Sequence, residues 1–223
     1  MREIVLDTET TGLDPAAGHR VVELGCLELL HHLPTGRSFR EYINPERDMP
    51  EEAARIHGLT TAFLADKPRF AEVVQSFLDF IGDAPLVIHN AQFDMKFLNA
   101  ELQRLDRPPL HPDRAVDTVA LARRRFPGAQ VNLDALCRRF EIDNAARSFH
   151  GALLDCELLA EVYLELRGGR QPGFDLASER RAAAAGARTD RALRAPRANQ
   201  PTAGELDAHE AMLDDLVDPI WRR

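Results

Sequence analysis

Positive charge, lysine and aromatic rings are all scarce in this chain. Lys67 and Lys96 are its only lysines among 28 Lys and Arg, so nearly every basic residue is arginine. Acidic residues number 36, and the net charge is −8. That sign excludes a protein that grips duplex DNA by charge alone, since such binding needs a cation at each phosphate contact. It is tolerable where metal ions supply the positive charge at a phosphate-handling site. The cysteines Cys26, Cys137 and Cys156 are odd in number, lie in apolar segments and match no zinc spacing. They read as buried, reduced thiols of a cytosolic protein. No apolar run approaches the length of a membrane-spanning helix, and the chain opens with charge and a strand rather than a signal peptide. A soluble, cytoplasmic protein is expected.

What is present is core-forming material. The 223 residues are 44% hydrophobic, enough for one domain with an appendage or for two small domains. The most informative stretch is Ile4-Val5-Leu6-Asp7-Thr8-Glu9-Thr10-Thr11-Gly12. An apolar run drives straight into two carboxylates one residue apart. In a strand, Asp7 and Glu9 then point the same way. Two like charges side by side repel, and a divalent cation between them would relieve the repulsion. The alternative is that Glu9 begins a solvated turn which Asp7 caps.

The patterning predicts strands at 3–8, 21–30 and 37–43, separated by turn-like breaks and so forming an antiparallel meander. Gly25 in the second strand marks a bulge or a close approach. A helix over 51–57 is expected to close on Gly58 in a left-handed conformation. Thr60 caps a short helix through Leu64, and Phe70, Val73, Val74, Phe77, Leu78 and Ile81 recur at helical spacing. Pro85 to Asn90 reads as a compact strand, with Asn90 capping a helix over 93–105. A strand at 115–118 passes into helix 119–125, Asn132 caps helix 133–140, and Leu153 to Leu166 is a closing amphipathic helix. The order implies an α/β fold: a mixed five-stranded sheet, its meander extended by parallel strands and flanked by helices, spanning residues 1–168. Residues 177–203 are rich in Ala and Arg and too poor in large apolar side chains to fold alone, which predicts a flexible linker over 169–203. Residues 204–223 recover an apolar pattern among acids, including Leu206, Met212, Leu213, Leu216 and Trp221. So short a segment is marginal in water by itself and has a use if its apolar face docks on a partner.

Three further residues can join Asp7 and Glu9. Asp94 falls in the first turn of a helix that follows a core strand, where sites in open α/β sheets gather. It is either part of that site or an ordinary first-turn acid. His150 and Asp155 are five apart, about 140° around a continuous helix, and would not share a site there. They converge if His150 lies in the loop before the helix and Gly151 lets the chain turn. Taken alone, His150 reads as a surface imidazole. Four carboxylates can hold two hard cations, Mg²⁺ or Mn²⁺, and a pair of such ions about 4 Å apart suits in-line attack on phosphorus. A histidine titrating near neutrality can accept the water's proton. Asp117 reads as a helix cap, His89 as a hydrogen-bonded neighbour of the site, and His19, His31, His32 and His111 as solvated.

The motifs Asp7-Thr8-Glu9-Thr10-Thr11-Gly12, His89-Asn90-Ala91-Gln92-Phe93-Asp94 and His150-Gly151-Ala152-Leu153-Leu154-Asp155 resemble those of the DEDDh 3′–5′ exonucleases, enzymes of the ribonuclease H-like fold. Ile56-His57-Gly58-Leu59-Thr60, Val116-Asp117-Thr118 and Asn132 to Cys137 are similar to the same family. The resemblance implies that Asp7, Glu9, Asp94 and Asp155 hold two divalent cations and that His150 is the general base. It implies that Asp7, Glu9 and the segment around Thr10 and Gly12 hold the 3′-terminal nucleotide. His57 and Phe93 fall in the same pocket, although Phe93 equally suits the core. Within the family the likeness is greatest to the proofreading members that serve bacterial replicative polymerases. This implies a single-stranded DNA 3′ end as substrate and a polymerase subunit held by the tail, through residues such as Leu213 and Trp221. Gln171, Phe174 and Leu176 in 171–176 are similar to a peptide that binds the sliding clamp, or else simply begin the linker. Two other readings stay open: a free-standing exonuclease acting on RNA or short oligonucleotides, and an inactive domain that braces a polymerase.

Overall fold

A computed structural model of the chain describes residues 1–145, 150–169, 201–216 and 221. The sheet has strands β1 (Arg2–Thr10), β2 (Val21–Leu30), β3 (Leu33–Tyr42), β4 (Leu86–Ile88) and β5 (Ala115–Asp117), in the order β3-β2-β1-β4-β5. The first three form the expected antiparallel meander, and β4 and β5 add in parallel. β1 is the central strand, and its side chains alternate between two cores. Ile4 and Leu6 enter one with Phe77 and Ile81 of α3 (Phe70–Ile81) and Phe97 and Leu98 of α4 (Ala91–Arg104). Val5 enters the other with Leu136 of α6 (Leu133–Phe140) and Leu159 and Val162 of α7 (Ala152–Leu166). Both faces are covered, as parallel strands require.

Several boundaries differ from the sequence expectation. β1 runs past Thr8 to Thr10 because its pairing with β2 continues to Thr10↔Val21, carrying Glu9 as well as Asp7 inside the strand rather than into a turn. β3 begins at Leu33, not Arg37, because His31 and His32 form a two-residue hairpin turn with φ of 54° and 67°. Positive φ at both centres is what a type I′ turn needs, and imidazoles do not announce it as Asn-Gly would. Gly25 marks a close approach and not a bulge. A Cβ there would lie 2.4 Å from the carbonyl carbon of Ala152, and the register irregularities fall elsewhere, at Glu9/Thr10 and Leu27/Leu29. The missing side chain lets the start of α7 press onto β2, and Cys156 then donates from Sγ to the Gly25 carbonyl at 3.3 Å.

The helix caps largely follow the chemistry. Gly58 closes α1 (Glu51–His57) at φ 74°, Thr60 accepts from the Phe63 N–H to open α2 (Thr61–Leu64), and Asn132 accepts from Ala135 to open α6. Asp117 caps α5 (Thr118–Arg125) by accepting from Val119 at 2.9 Å. Asn90 departs from expectation. It stands before α4 in a left-handed conformation, φ 66°, with no side-chain cap bond, and its N–H donates to Asp117 at 3.2 Å instead.

The chain divides into two compact units, 1–173 and 174–223. The second contains α8 (Ala203–Asp214), opened by a reciprocal Thr202–Glu205 capping box. The expected clamp peptide, with Gln171, Phe174 and Leu176, and nearly all of the expected linker lie outside the described residues. Among the described residues no helix is long and apolar enough to cross a membrane.

Candidate active site

The C-terminal end of β1 organises the site. Val5, Asp7 and Glu9 share one face of the strand, so the two carboxylates point the same way toward α7. Thr8 takes the opposite face and reaches the first turn of α4. Its N–H and its hydroxyl both donate to Asp94 Oδ1, at 3.0 and 2.8 Å. These two bonds fix a buried carboxylate beside the strand end. Sequence reasoning missed Thr8, although its place between Asp7 and Glu9 puts it on the other face.

Asp155 lies in the first turn of α7 and is buried. His150 precedes that helix, and its N–H donates to the Ile56 carbonyl of α1 at 3.1 Å. The loop therefore leans on α1 and turns the imidazole back, placing Nδ1 3.3 Å from Asp155 Oδ2. The two residues converge as expected, but not through glycine freedom: Gly151 has φ −150°, an ordinary extended value. Glu9, His150 and Asp155 each offer a ligand atom, and these atoms all lie within 4.8 Å of one another.

The electrostatics favour a bound cation. Burial pushes the Asp94 carboxyl up to about 7, against the opposing Thr8 hydrogen bonds. Asp7 is pushed well above the usual carboxylate range by burial first, then by the charges of Asp94, Glu9, Asp155 and Glu23. Carboxylates that resist ionising for want of a counter-charge form a donor set of hard oxygens, which fits a divalent ion of the Mg²⁺ or Mn²⁺ type. Glu23, the fifth acid, stands directly opposite Glu9 on β2 and is held by Arg40 Nε at 2.7 Å.

Beside these groups is a cleft of about 460 Å³, lined among others by Glu9, Thr10, Gly12, His19, Ile56, His57 and Phe93. Thr10, Gly12, His57 and Phe93 are thus brought together as expected; of the four carboxylates, Glu9 lines the cleft. Phe93 serves both roles considered for it, since it also packs against the core and lies 5.0 Å from the Phe97 ring. His57 is buried, and its Nδ1 accepts from the Leu59 N–H at 3.1 Å. Burial, followed by neighbouring His150, lowers its pKa, while the Thr10 backbone pulls the other way. Its Nε2 has no partner within hydrogen-bond geometry among the described residues. His19 is not simply solvated: Thr11 Oγ1 bonds its Nδ1 at 3.1 Å, and its ring leaves no room for a Cβ on Gly12. His32 likewise pairs with Glu3 at 2.7 Å. His89 bonds Thr118 Oγ1 at 2.9 Å, in keeping with a supporting role. In the tail, Leu213 in the last turn of α8 is buried rather than presented to a partner as expected, whereas Trp221 is exposed.

Comparison with known proteins gives the family and the fold. Residues 4–163 match the exonuclease family model. A DNA polymerase III subunit epsilon of Rickettsia felis is 50% identical over 223 residues, covering 97% of each chain. The protein of that name from Escherichia coli is 43% identical over 224 residues, covering 96% of this chain and 92% of its own. A solved structure of exonuclease X in complex with 5′ overhanging duplex DNA superposes with a TM-score of 0.59 at 26% identity, covering 74% of this chain and 90% of that one.

Proposed function

This chain belongs to the exonuclease family, among its DNA polymerase III epsilon subunits, and from that premise we propose that Asp7, Glu9, Asp94 and Asp155 hold two divalent cations while His150 acts as general base. The protein is a 3′–5′ exonuclease that removes mispaired nucleotides from DNA 3′ ends as a subunit of the replicative polymerase. The observation that carries the site assignment is the convergence of Glu9, His150 and Asp155 at the end of β1, with ligand atoms within 4.8 Å of one another. When bound, the cations supply positive charge against the scissile phosphate and its leaving oxygen. The chain's own residues do the rest. Asp155 beside Nδ1 orients the His150 ring, so that Nε2 can take the proton of the attacking water. Thr8 holds Asp94 in place. Thr10, Gly12, His57 and Phe93 receive the terminal nucleotide, with the His57 Nε2 offering a polar contact in a wall that it shares with the apolar Ile56 and Phe93.

The tail, 204–223, holds the polymerase subunit through exposed apolar side chains such as Trp221, and 171–176 holds the sliding clamp through Gln171, Phe174 and Leu176. A tether of this kind raises the local concentration of the editing site beside the polymerase without a rigid interface. The protein works in the cytoplasm at the replisome. The test is incubation of the purified protein with mismatched DNA and matched RNA 3′ ends, with and without chelator. Hydrolysis of the DNA end that stops with chelator is expected. Equal or preferred hydrolysis of RNA would favour a free-standing RNA enzyme, and no hydrolysis of either would favour a structural role.

A further inference from the structure

The cleft receives the end of a strand, and the strand behind it must lie somewhere. The sheet register points to where. Glu9 stands opposite Glu23, and Glu23 stands opposite Tyr42, so all three side chains share one face. Two strand spacings separate Glu9 from Tyr42, roughly 10 Å.

At Tyr42 a ladder of rings and cations begins. The Arg40 guanidinium lies 4.7 Å over the Tyr42 ring. Tyr42 meets Phe63 edge-to-face at 4.9 Å, and the Lys67 ammonium lies 4.7 Å over Phe63. Part of this serves the fold. Arg40 neutralises Glu23 and also bonds the Tyr42 hydroxyl, and Tyr42 packs against the small cluster of Val22, Leu59 and Leu64. Phe63 has no such duty, being 42% exposed while its neighbour Leu64 fills the cluster. Among the described residues the ion pair of Lys67 is with the adjacent, exposed Asp66, at 3.0 Å, a contact of little energetic consequence. An outward phenyl ring with one of the chain's two lysines above it, packed on a tyrosine two strands from Glu9, has the composition of a single-strand platform: π faces for bases and cations for phosphates.

We propose that Arg40, Tyr42, Phe63 and Lys67 form a track for single-stranded nucleic acid, bearing the nucleotides about three or more steps behind the terminal one at the ~3.4 Å phosphate spacing of a stacked strand. Phe63 stacks a base, and Lys67 and Arg40 face the phosphates. The track answers the net charge of −8, because positive groups need only line the path of the strand. It rests on the exonuclease reading above.

The test compares a one-nucleotide substrate, the p-nitrophenyl ester of thymidine 5′-monophosphate, with a single-stranded decamer, both with Mn²⁺. Decamer binding is followed separately by fluorescence anisotropy. Phe63→Ala should raise the decamer KM roughly tenfold, the size of one lost base–ring stack, with kcat and the ester kinetics unchanged. Phe63→Trp should restore the decamer KM, and Lys67→Gln should reduce the salt slope of decamer binding by about one. Unchanged decamer affinity in Phe63→Ala overturns the track. So does an equal loss on both substrates, which would make Phe63 a support of the catalytic fold. Failure of the exonuclease reading looks different: the wild-type protein would hydrolyse neither substrate, and the anisotropy difference would still decide the track.

Discussion

The two compact units solve the problem of apolar surface in opposite ways. Residues 1–169 fold around a β-sheet with a core on each face, and the strongest site chemistry sits where the central strand emerges between them. In the second unit, α8 is opened by a capping box, yet Leu206, Met212, Leu216 and Trp221 stay exposed. The lesson is one of dependence. The carboxylates of the first unit are positioned by their own core, whereas the tail presents apolar side chains of the kind another protein would cover. Catalysis should therefore be insensitive to the tail, and assembly insensitive to the carboxylates.

The largest effect expected is on hydrolysis. Asp155→Asn should cut the rate on a mismatched 3′ end on the order of 10³-fold or more, since several kcal/mol of charge stabilisation goes with the ligand. Co-purification with the polymerase subunit should be unchanged; loss of both together would erase the contrast. The converse variant, deletion of 204–223, should abolish that co-purification and leave hydrolysis of a free oligonucleotide intact. If activity fell as well, the tail would belong to the catalytic fold.

Gly25→Ala sharpens the claim that the core sets the site. With a Cβ 2.4 Å from the Ala152 carbonyl carbon, α7 must move off β2. Overpacking of this sort costs ~1–3 kcal/mol, read as a lower melting temperature, and Asp155 should lose its place along with activity. A variant as stable and active as wild type would show that the contact does not position α7.

Proton linkage gives a smaller effect with a definite sign. A folded Asp94 that titrates at about 7 keeps its proton where an unfolded one, near 3.9, has lost it. Between these values the folded state binds more protons, so its stability falls as pH rises. In chelator, the melting temperature should drop from pH 5 to pH 8, less steeply in Asp94→Asn. Added divalent cation should stabilise more at pH 8 than at pH 5. An identical pH profile in the variant would remove Asp94 from this account. Smallest of all, replacing Gln171 and Phe174 should weaken clamp binding modestly while sparing polymerase binding; no change in clamp affinity would return 171–176 to the linker.

What could be read in the sequence was local or motif-borne. Asp7 and Glu9 on one strand face, the Gly58, Thr60, Asp117 and Asn132 caps, and the meander followed by parallel strands each follow from a period or a cap. The cleft residues Thr10, Gly12, His57 and Phe93 came through the family resemblance. What stayed hidden depends on partners distant in the chain. Thr8 is ordinary until Asp94, 86 residues on, takes both of its donors. The reason for Gly25 is the backbone of Ala152. The hairpin at His31 and His32 lacked turn chemistry, and the Arg40–Tyr42–Phe63–Lys67 ladder joins an edge strand to a helix that no periodicity links. Asn90 misled because its place before a helix suggested a side-chain cap, while its backbone took a left-handed conformation.

Anomalous diffraction from crystals of the protein grown with Mn²⁺ tests the shared-cation site most directly. The account predicts two peaks enclosed by Asp7, Glu9, Asp94 and Asp155, each within about 2.0–2.3 Å of carboxylate oxygens. Fully bound metal elsewhere, with no peak in reach of those four side chains, would contradict it.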